Sequence, residues 1–249
     1  MITRTHPTRA NPCASASGGG APRACSGAVA FGVLAVVIAQ SREGRVLDRV
    51  DRAVFAALLA RRHPVGSAAA RVTSALAEPG SVYPLLAAAA VAGARRASWW
   101  RACTPFLAVA GGAAARRILA RAIARPRPPA TAWLTEPEGF SLPSKHTTLA
   151  ALAVGACASP AGFGGICKRA GPLAAAVGTG TSRVCLGVHW PSDVLAGWLF
   201  AEGWLRLTEP ATTAISRARA DACTGAAQQT AATLGSIRAK PRIAFCGVQ

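Results

Sequence analysis

One short segment, from Ser182 to Asp193, holds the residue types that attack on a phosphoryl group requires. It contains Arg183, His189 and Asp193, between the end of one apolar stretch and the start of the next. An arginine can hold a phosphate, an imidazole can act as nucleophile or base, and a carboxylate can orient that imidazole. A histidine four residues before an aspartate is more often structural, so the spacing alone is a modest signal. Phosphoryl transfer is the first hypothesis for this chain.

Two upstream segments carry residues suited to the same chemistry. The run Arg-Pro-Arg-Pro at 125–128 holds Arg127 on a stiff, extended backbone, because successive prolines cannot continue a helix. Further on, Ser144 is a predicted N-cap, and the free N–H groups of the helix start would form an anion site with His146 at its edge. The alternatives are a basic stop signal beside a membrane for the first segment and an ordinary capped helix for the second.

Together the three segments resemble the type 2 phosphatidic acid phosphatase (PAP2) family, whose motifs are KX6RP, PSGH and SRX5HX3D. The third motif is complete, with Ser182, Arg183, His189 and Asp193. The second is matched by Pro-Ser-Lys-His at 143–146, where Lys145 replaces the family's glycine. The first is matched in part, because Arg127 begins the RP pair while Ala120 stands at the family's lysine position.

The absent lysine leaves several replacements open. Arg121 is adjacent to Ala120, but on a helix it is rotated by about 100° from that position. Arg116 and Arg117 lie one turn earlier. Lys145 could supply a mobile charge to the same phosphate, or it could point into solvent.

The resemblance implies a mechanism with named residues. His189 would attack phosphorus and become a phosphohistidine, while Asp193 orients its ring. His146 would protonate the leaving group and then deprotonate the attacking water. The residues expected to bind phosphate are Arg127, Ser144, Lys145, Arg183, Arg121 and Ser182. The resemblance implies no metal and no cofactor, and an all-α fold: a six-helix transmembrane bundle of the PAP2 or haloperoxidase-like type.

The composition independently indicates a membrane protein. Hydrophobic residues make up 51% of the chain and charged residues 15%, with a mean hydropathy of +0.31, whereas about 25% charged residues is usual for soluble domains. Segment 45–62 is amphipathic and is predicted to lie at the membrane interface or the bundle edge. The first apolar run resembles a signal-peptide core, but no small-residue cleavage site follows it, which favours an uncleaved helix. The six predicted spans are 27–39, 67–94, 102–118, 147–161, 171–181 and 191–207.

Three regions are expected along the chain. Residues 1–24 are predicted to be a disordered tail, 25–207 a PAP2-like membrane phosphatase domain, and 208–249 a polar, basic tail that is a peripheral helix or disordered. Basic residues in the first tail and in two connections predict, by the positive-inside rule, that the motif loops face the extracytoplasmic side of the plasma membrane. The net charge of +18 is spread over tails and helix ends, which favours anionic lipid headgroups as partners and not nucleic acid.

The expected function is a membrane phosphatase that hydrolyses a lipid phosphate or a polyprenyl (di)phosphate. Phosphatidic acid, phosphatidylglycerol phosphate, polyprenyl diphosphates and polyprenyl-phospho-sugars all remain open as substrates, as does the oligomeric state. One alternative is a PAP2-like membrane protein that binds lipid phosphate without turnover, which the absent lysine suggests. The other is an enzyme like the vanadium haloperoxidases, which share the phosphate-site motifs but are soluble.

Overall fold

The computed structural model of the 249-residue chain describes residues 21–95, 99–158 and 165–238. Every regular element in these ranges is helical, which confirms the expected all-α class. The described ranges contain eight α-helices and one short 3₁₀ turn at Ala130–Ala132. The helices are α1 (Ala21–Gln40), α2 (Val46–Ala60), α3 (Pro64–Leu76), α4 (Pro79–Ala94), α5 (Trp99–Ile123), α6 (Lys145–Ala158), α7 (Gly165–Cys185) and α8 (Pro191–Arg238).

The helix count departs from the six predicted spans in two places. The amphipathic segment forms α2, and the span predicted at 67–94 is divided into α3 and α4. The division falls where α3 ends at Leu76 and Pro79 begins α4, because proline is favoured in the first turn of a helix and disfavours helix in the residue before it. The last helix also continues past the predicted end at 207 to Arg238.

Judged by length and composition, no single helix in the described ranges meets the requirement for crossing a bilayer alone. The pair Pro64–Leu76 and Pro79–Ala92 meets it when the two halves are taken together, with a bend of 47° between them. A shorter apolar stretch, Ser26–Gln40, lies within α1.

Helix α6 lies at the centre of the main apolar core. It packs against α4, α5 and α7, and it contributes Leu149 and Leu152, which are almost fully buried. A second core joins α1 to α8 through Leu34 and Phe200. The N–H of Ser144, just before α6, donates to the carbonyl of Asp193 at 3.1 Å, which holds the starts of α6 and α8 together.

Two glycines allow the close approaches around the end of α7. A Cβ atom on Gly180 would lie 2.0 Å from Val194 Cγ1, so α7 and α8 could not pack at this distance with any other residue there. Gly187 has a φ of +79°, and a Cβ atom on it would lie 2.1 Å from the carbonyl oxygen of Ala132. The turn that leads into His189 therefore requires glycine at position 187.

The chain divides into a first compact unit that ends at Glu209 and a second that begins at Pro210. Within the first unit, Glu202 of α8 pairs with Arg206 one turn later. In the described part of the second unit the chain is helical as far as Arg238. The tail predicted at 1–24 lies largely outside the described residues.

Replacing Gly187 by alanine is expected to destabilise the protein by about 2 kcal/mol or more, because the positive φ and the Ala132 carbonyl both oppose a side chain. The measurement is thermal or denaturant unfolding of the purified protein in detergent. Gly178→Ala is the matched control, since no atom lies within 4 Å of its added Cβ and alanine favours helix. Equal stability of the two variants would contradict the steric argument.

Candidate active site

A small cavity of about 80 Å³ gathers the basic residues Arg127, Lys145, His146, Arg183 and His189 of the three sequence motifs. Its volume exceeds the roughly 10–15 Å³ that one water molecule needs. Arg127 comes from the loop after α5, His146 from the start of α6, Arg183 from the end of α7, and His189 from the turn before α8. The complete lining is Glu78, Arg127, Glu136, Glu138, Lys145, His146, Arg183 and His189.

His189 and Asp193 form a buried pair at the start of α8. The Nδ1 atom of His189 donates to Asp193 Oδ2 over 3.2 Å, and both side chains are at most 1% exposed. The same Oδ2 accepts the N–H of Trp190 at 2.8 Å and the hydroxyl of Ser141. With the proton held on Nδ1, the Nε2 atom of His189 keeps its lone pair, as a nucleophile must.

The environment of His189 keeps its ring neutral. Burial lowers the pKa of the imidazole to about 4, and the Arg127 and Arg183 cations act in the same direction, against the Asp193 carboxylate. At neutral pH the side chain is therefore unprotonated. That is the form in which an imidazole attacks phosphorus.

Arg125 holds Asp193 from the side opposite His189. Its Nη1 atom donates to Asp193 Oδ1 at 2.7 Å, and its Nη2 atom donates to Asp51 Oδ2 at 2.7 Å. Asp51, from α2, also accepts the backbone N–H of Ser192 at 2.8 Å and its hydroxyl at 2.5 Å. One guanidinium is thus clamped between two buried carboxylates, and α2 is tied to the first turn of α8.

The sequence reasoning missed both Asp51 and the role of Arg125. A signal for Asp51 was present, because Leu47, Asp51 and Phe55 recur at intervals of four residues and share one face of α2. Phe55 on that face is buried. A carboxylate on the apolar face of an amphipathic helix indicates a buried partner. Arg125 was recognised as basic, but nothing local identified Asp193 as its partner.

The two arginines that line the cavity differ in their free hydrogen-bonding capacity. All five N–H groups of Arg127 are engaged, four by the carbonyls of residues 138, 139, 140 and 188 and one by His189 Nε2 at 3.1 Å. Arg183 donates from Nη1 to Ser74 Oγ at 2.7 Å, while its buried Nε has no partner among the described residues. Arg127 therefore has no free N–H group in this structure, whereas Arg183 keeps a buried Nε–H group that is unpaired within the described residues.

His146 and Lys145 contact a residue that the sequence reasoning missed, Glu78. The Nε2 atom of His146 donates to Glu78 Oε1 at 2.5 Å, and Lys145 Nζ lies 3.5 Å from Glu78 Oε2 and 3.5 Å from Glu138 Oε2. Lys145 is thus held by carboxylates and does not simply extend into solvent. Glu78 lies in the break between α3 and α4, where no motif marks it.

Three of the predicted phosphate-binding residues do not line the cavity. Ser144 is buried, and its hydroxyl oxygen accepts from Thr147 at 3.0 Å. Ser182 turns back along its own helix, because its hydroxyl donates to the carbonyl of Thr179 at 2.6 Å. Arg121 is exposed on α5.

Arg116 is the basic residue near Ala120 that lies against the site. It is buried, and its Nε donates to the carbonyl of Pro143 at 2.8 Å, in the loop that leads into α6. It does not line the cavity.

Within the described ranges, no group of three His, Cys, Asp or Glu side chains is arranged to hold a metal ion.

Comparisons with known proteins agree with the motifs. The sequence profile of the PAP2 superfamily matches residues 101–215. The fold is similar to the crystal structure of a transmembrane PAP2-type phosphatidylglycerolphosphate phosphatase from Bacillus subtilis, with a TM-score of 0.64 and 23% sequence identity. That match covers 77% of this chain and 96% of the other. No curated protein sequence matches the chain.

Replacing Arg125 by methionine is expected to cost roughly 3–5 kcal/mol, because it leaves two carboxylates buried side by side without their shared cation. The measurement is unfolding of the purified protein in detergent. Arg121→Met makes the same change at an exposed position of α5 and is expected to stay within about 0.5 kcal/mol of wild type. If both variants unfold like wild type, the clamp contributes nothing to stability.

Proposed function

We propose, from the confirmed match of residues 101–215 to the PAP2 superfamily, that the chain is a membrane phosphatase for lipid phosphates or polyprenyl (di)phosphates. The observation that carries the proposal is the buried His189–Asp193 pair beside Arg127, Arg183 and His146 in one cavity. These groups supply a neutral nucleophile, its orienting carboxylate, two cations and a second imidazole. Acting together they can perform both halves of a phosphoryl transfer to water.

In the first step, His189 Nε2 attacks phosphorus and forms the N–P bond, while the P–O bond to the leaving group breaks. A phosphate that displaces the 3.1 Å contact between Arg127 and His189 would lie next to both groups. Arg183 stabilises the charge on the equatorial oxygens. His146 gives a proton to the departing oxygen, and the product is a phosphohistidine together with the free alcohol or phosphate.

In the second step, water attacks the phosphorus of the phosphohistidine. His146, now neutral, accepts a proton from that water. The N–P bond breaks, inorganic phosphate leaves, and the lone pair returns to His189. Asp193 keeps its hydrogen bond to Nδ1 during both steps, so the ring does not have to reorient between them. The cations come from the protein itself, so the proposal includes no metal ion.

Exposed apolar side chains support a position in the membrane. Val29, Val33 and Val36 lie on one face of α1 and are 64%, 45% and 60% exposed. Such a face is costly in water and fits lipid. We place the cavity at the extracytoplasmic interface of the plasma membrane, on the charge distribution of the loops. The substrate named for the Bacillus subtilis protein, phosphatidylglycerolphosphate, is one member of the substrate class proposed here.

A second candidate is a membrane protein that binds lipid phosphate without turnover. The observation in its favour is Arg127, whose N–H groups are all occupied by residues of the described chain. The lysine that would complete the first motif is also replaced, by the buried Ala120. If loop 138–140 never releases Arg127, phosphate would bind too weakly for the reaction.

The decisive measurement is phosphate release, without added metal, from a panel of lipid phosphates and polyprenyl diphosphates in detergent. His189→Ala is expected to lower the rate at least about 10³-fold, because it removes the nucleophile. His63→Asn is the control, since it replaces an exposed histidine before α3 with another good N-cap residue. Equal rates in wild type and His189→Ala would rule out the catalytic assignment. Peroxide-dependent halide oxidation with vanadate would instead favour the haloperoxidase-like alternative.

Lys145→Gln tests whether the lysine at the glycine position compensates for Ala120. If Lys145 moves from its two carboxylates to the bound phosphate, the variant should bind inorganic phosphate about tenfold more weakly, the loss of one charge-assisted contact. The inhibition constant of inorganic phosphate measures this effect, and Lys145→Gly should behave in the same way. Unchanged inhibition and turnover in both variants would remove Lys145 from the phosphate site.

A further inference from the structure

Glu78 is the described hydrogen-bond partner of the His146 ring. The Nε2 atom donates to Glu78 Oε1 at 2.5 Å, and the Nδ1 atom is buried without a partner among the described residues. His146 itself is 3% exposed. Rotation of the imidazole is therefore opposed by one polar contact, and that contact is the Glu78 carboxylate.

Local backbone structure fixes the position of Glu78. Its carbonyl accepts the N–H groups of Ser81 and Val82 at 3.0 and 2.9 Å, which closes the first turn of α4. The hydroxyl of Ser81 reaches back across the break to the carbonyl of Ala75 at 2.8 Å. Hydrogen bonds therefore hold the chain on both sides of the 47° bend between α3 and α4. At this bend the Glu78 carboxylate contacts His146, at the start of α6.

The charges around His146 explain why a carboxylate is needed there. The cavity is lined by three basic side chains, Arg127, Lys145 and Arg183, and by three acidic ones, Glu78, Glu136 and Glu138. The basic groups repel an imidazolium, which is the form of His146 that can protonate a leaving group. Of the acidic groups in the described ranges, Glu78 is the one bonded to the ring, so its charge offsets that repulsion most directly.

The cavity therefore contains two carboxylate–imidazole pairs. Asp193 bonds to Nδ1 of His189 within the start of α8, and Glu78 bonds to Nε2 of His146 across 68 residues of sequence. In the first pair the ring stays neutral and can attack. In the second, burial and the Arg183 cation lower the pKa of the His146 imidazole to about 3, and the Glu78 carboxylate on Nε2 fixes the tautomer and opposes that shift.

We propose that Glu78 is the positioning residue of His146, holding its ring in place and stabilising its protonated form during departure of the leaving group. This inference rests on the proposed phosphatase function, because it assigns a partner to the acid–base group of that reaction. A competing interpretation makes Glu78 an internal anion. It bridges His146 and Lys145 much as a phosphate oxygen would, and its removal would then favour substrate binding.

Glu78→Gln separates these interpretations through the leaving group. An alkyl lipid phosphate needs a proton on its departing oxygen, whereas p-nitrophenyl phosphate has a stable leaving group that does not. We expect kcat/KM of Glu78→Gln to fall at least tenfold for the lipid phosphate and less than threefold for p-nitrophenyl phosphate. Equal losses for both substrates, or a rise in kcat/KM for either, would overturn the proposal.

Glu138→Gln is the matched control. It removes the same charge from the cavity lining and the same 3.5 Å contact to Lys145, but Glu138 has no bond to His146. The leaving-group dependence should therefore appear in Glu78→Gln and not in Glu138→Gln. If the two variants show the same dependence, cavity charge and not the ring contact is responsible.

A readout that is independent of turnover distinguishes failure of this proposal from failure of the phosphatase function. In protein labelled with ¹⁵N-histidine, the ring shifts report which nitrogen carries the proton, and His146→Gln assigns the resonance among the four histidines of the chain. We expect the proton on Nε2 in wild type and Glu138→Gln, and a mixture of tautomers in Glu78→Gln. An unchanged tautomer in Glu78→Gln would overturn the proposal even if no substrate were ever found.

Discussion

The rest of the site depends on two contacts of Arg125, whose guanidinium bonds to both Asp51 and Asp193. A buried carboxylate destabilises the folded protein unless it is paired and fully hydrogen-bonded. Asp193 is completely buried and yet accepts donors from Arg125, Ser141, Trp190 and His189. With four donors satisfied, it can stay charged in the core and hold the His189 ring without taking its proton.

The site is built from the ends of helices. The start of α6, the end of α7 and the start of α8 meet at the cavity, and their approach depends on small residues such as Gly180 and on the tight turn at Gly187. The connections between helices contribute two further side chains. Arg127 lies in the proline-rich loop after α5, and Glu78 lies in the break before Pro79. Helices thus carry Asp193, His146 and Arg183, while Arg127, whose N–H groups are all occupied, lies in a loop.

Local patterns made part of this arrangement predictable. The His189–Asp193 contact follows from a spacing of four residues, and Pro191 begins α8 as expected. Contacts between distant parts of the chain produce no local pattern in the sequence from which they could be predicted. Glu78 is bonded to a histidine 68 residues away, and Asp51 bonds to Ser192 across 141 residues. Matching a motif to Arg127 identified a cation, but it could not show that four backbone carbonyls already hold it.

Some partners of the motif residues lie outside the matched segment, which limits how the site can be transferred to another protein. Asp51, Ser74 and Glu78 all precede residue 101, where the matched segment begins. The segment 101–215 therefore carries the motif residues without the side chains outside it that bond to Arg125, Arg183 and His146. A chimera that joined this segment to the N-terminal helices of another protein would keep every motif. It would lose the contacts that hold the motif side chains in place.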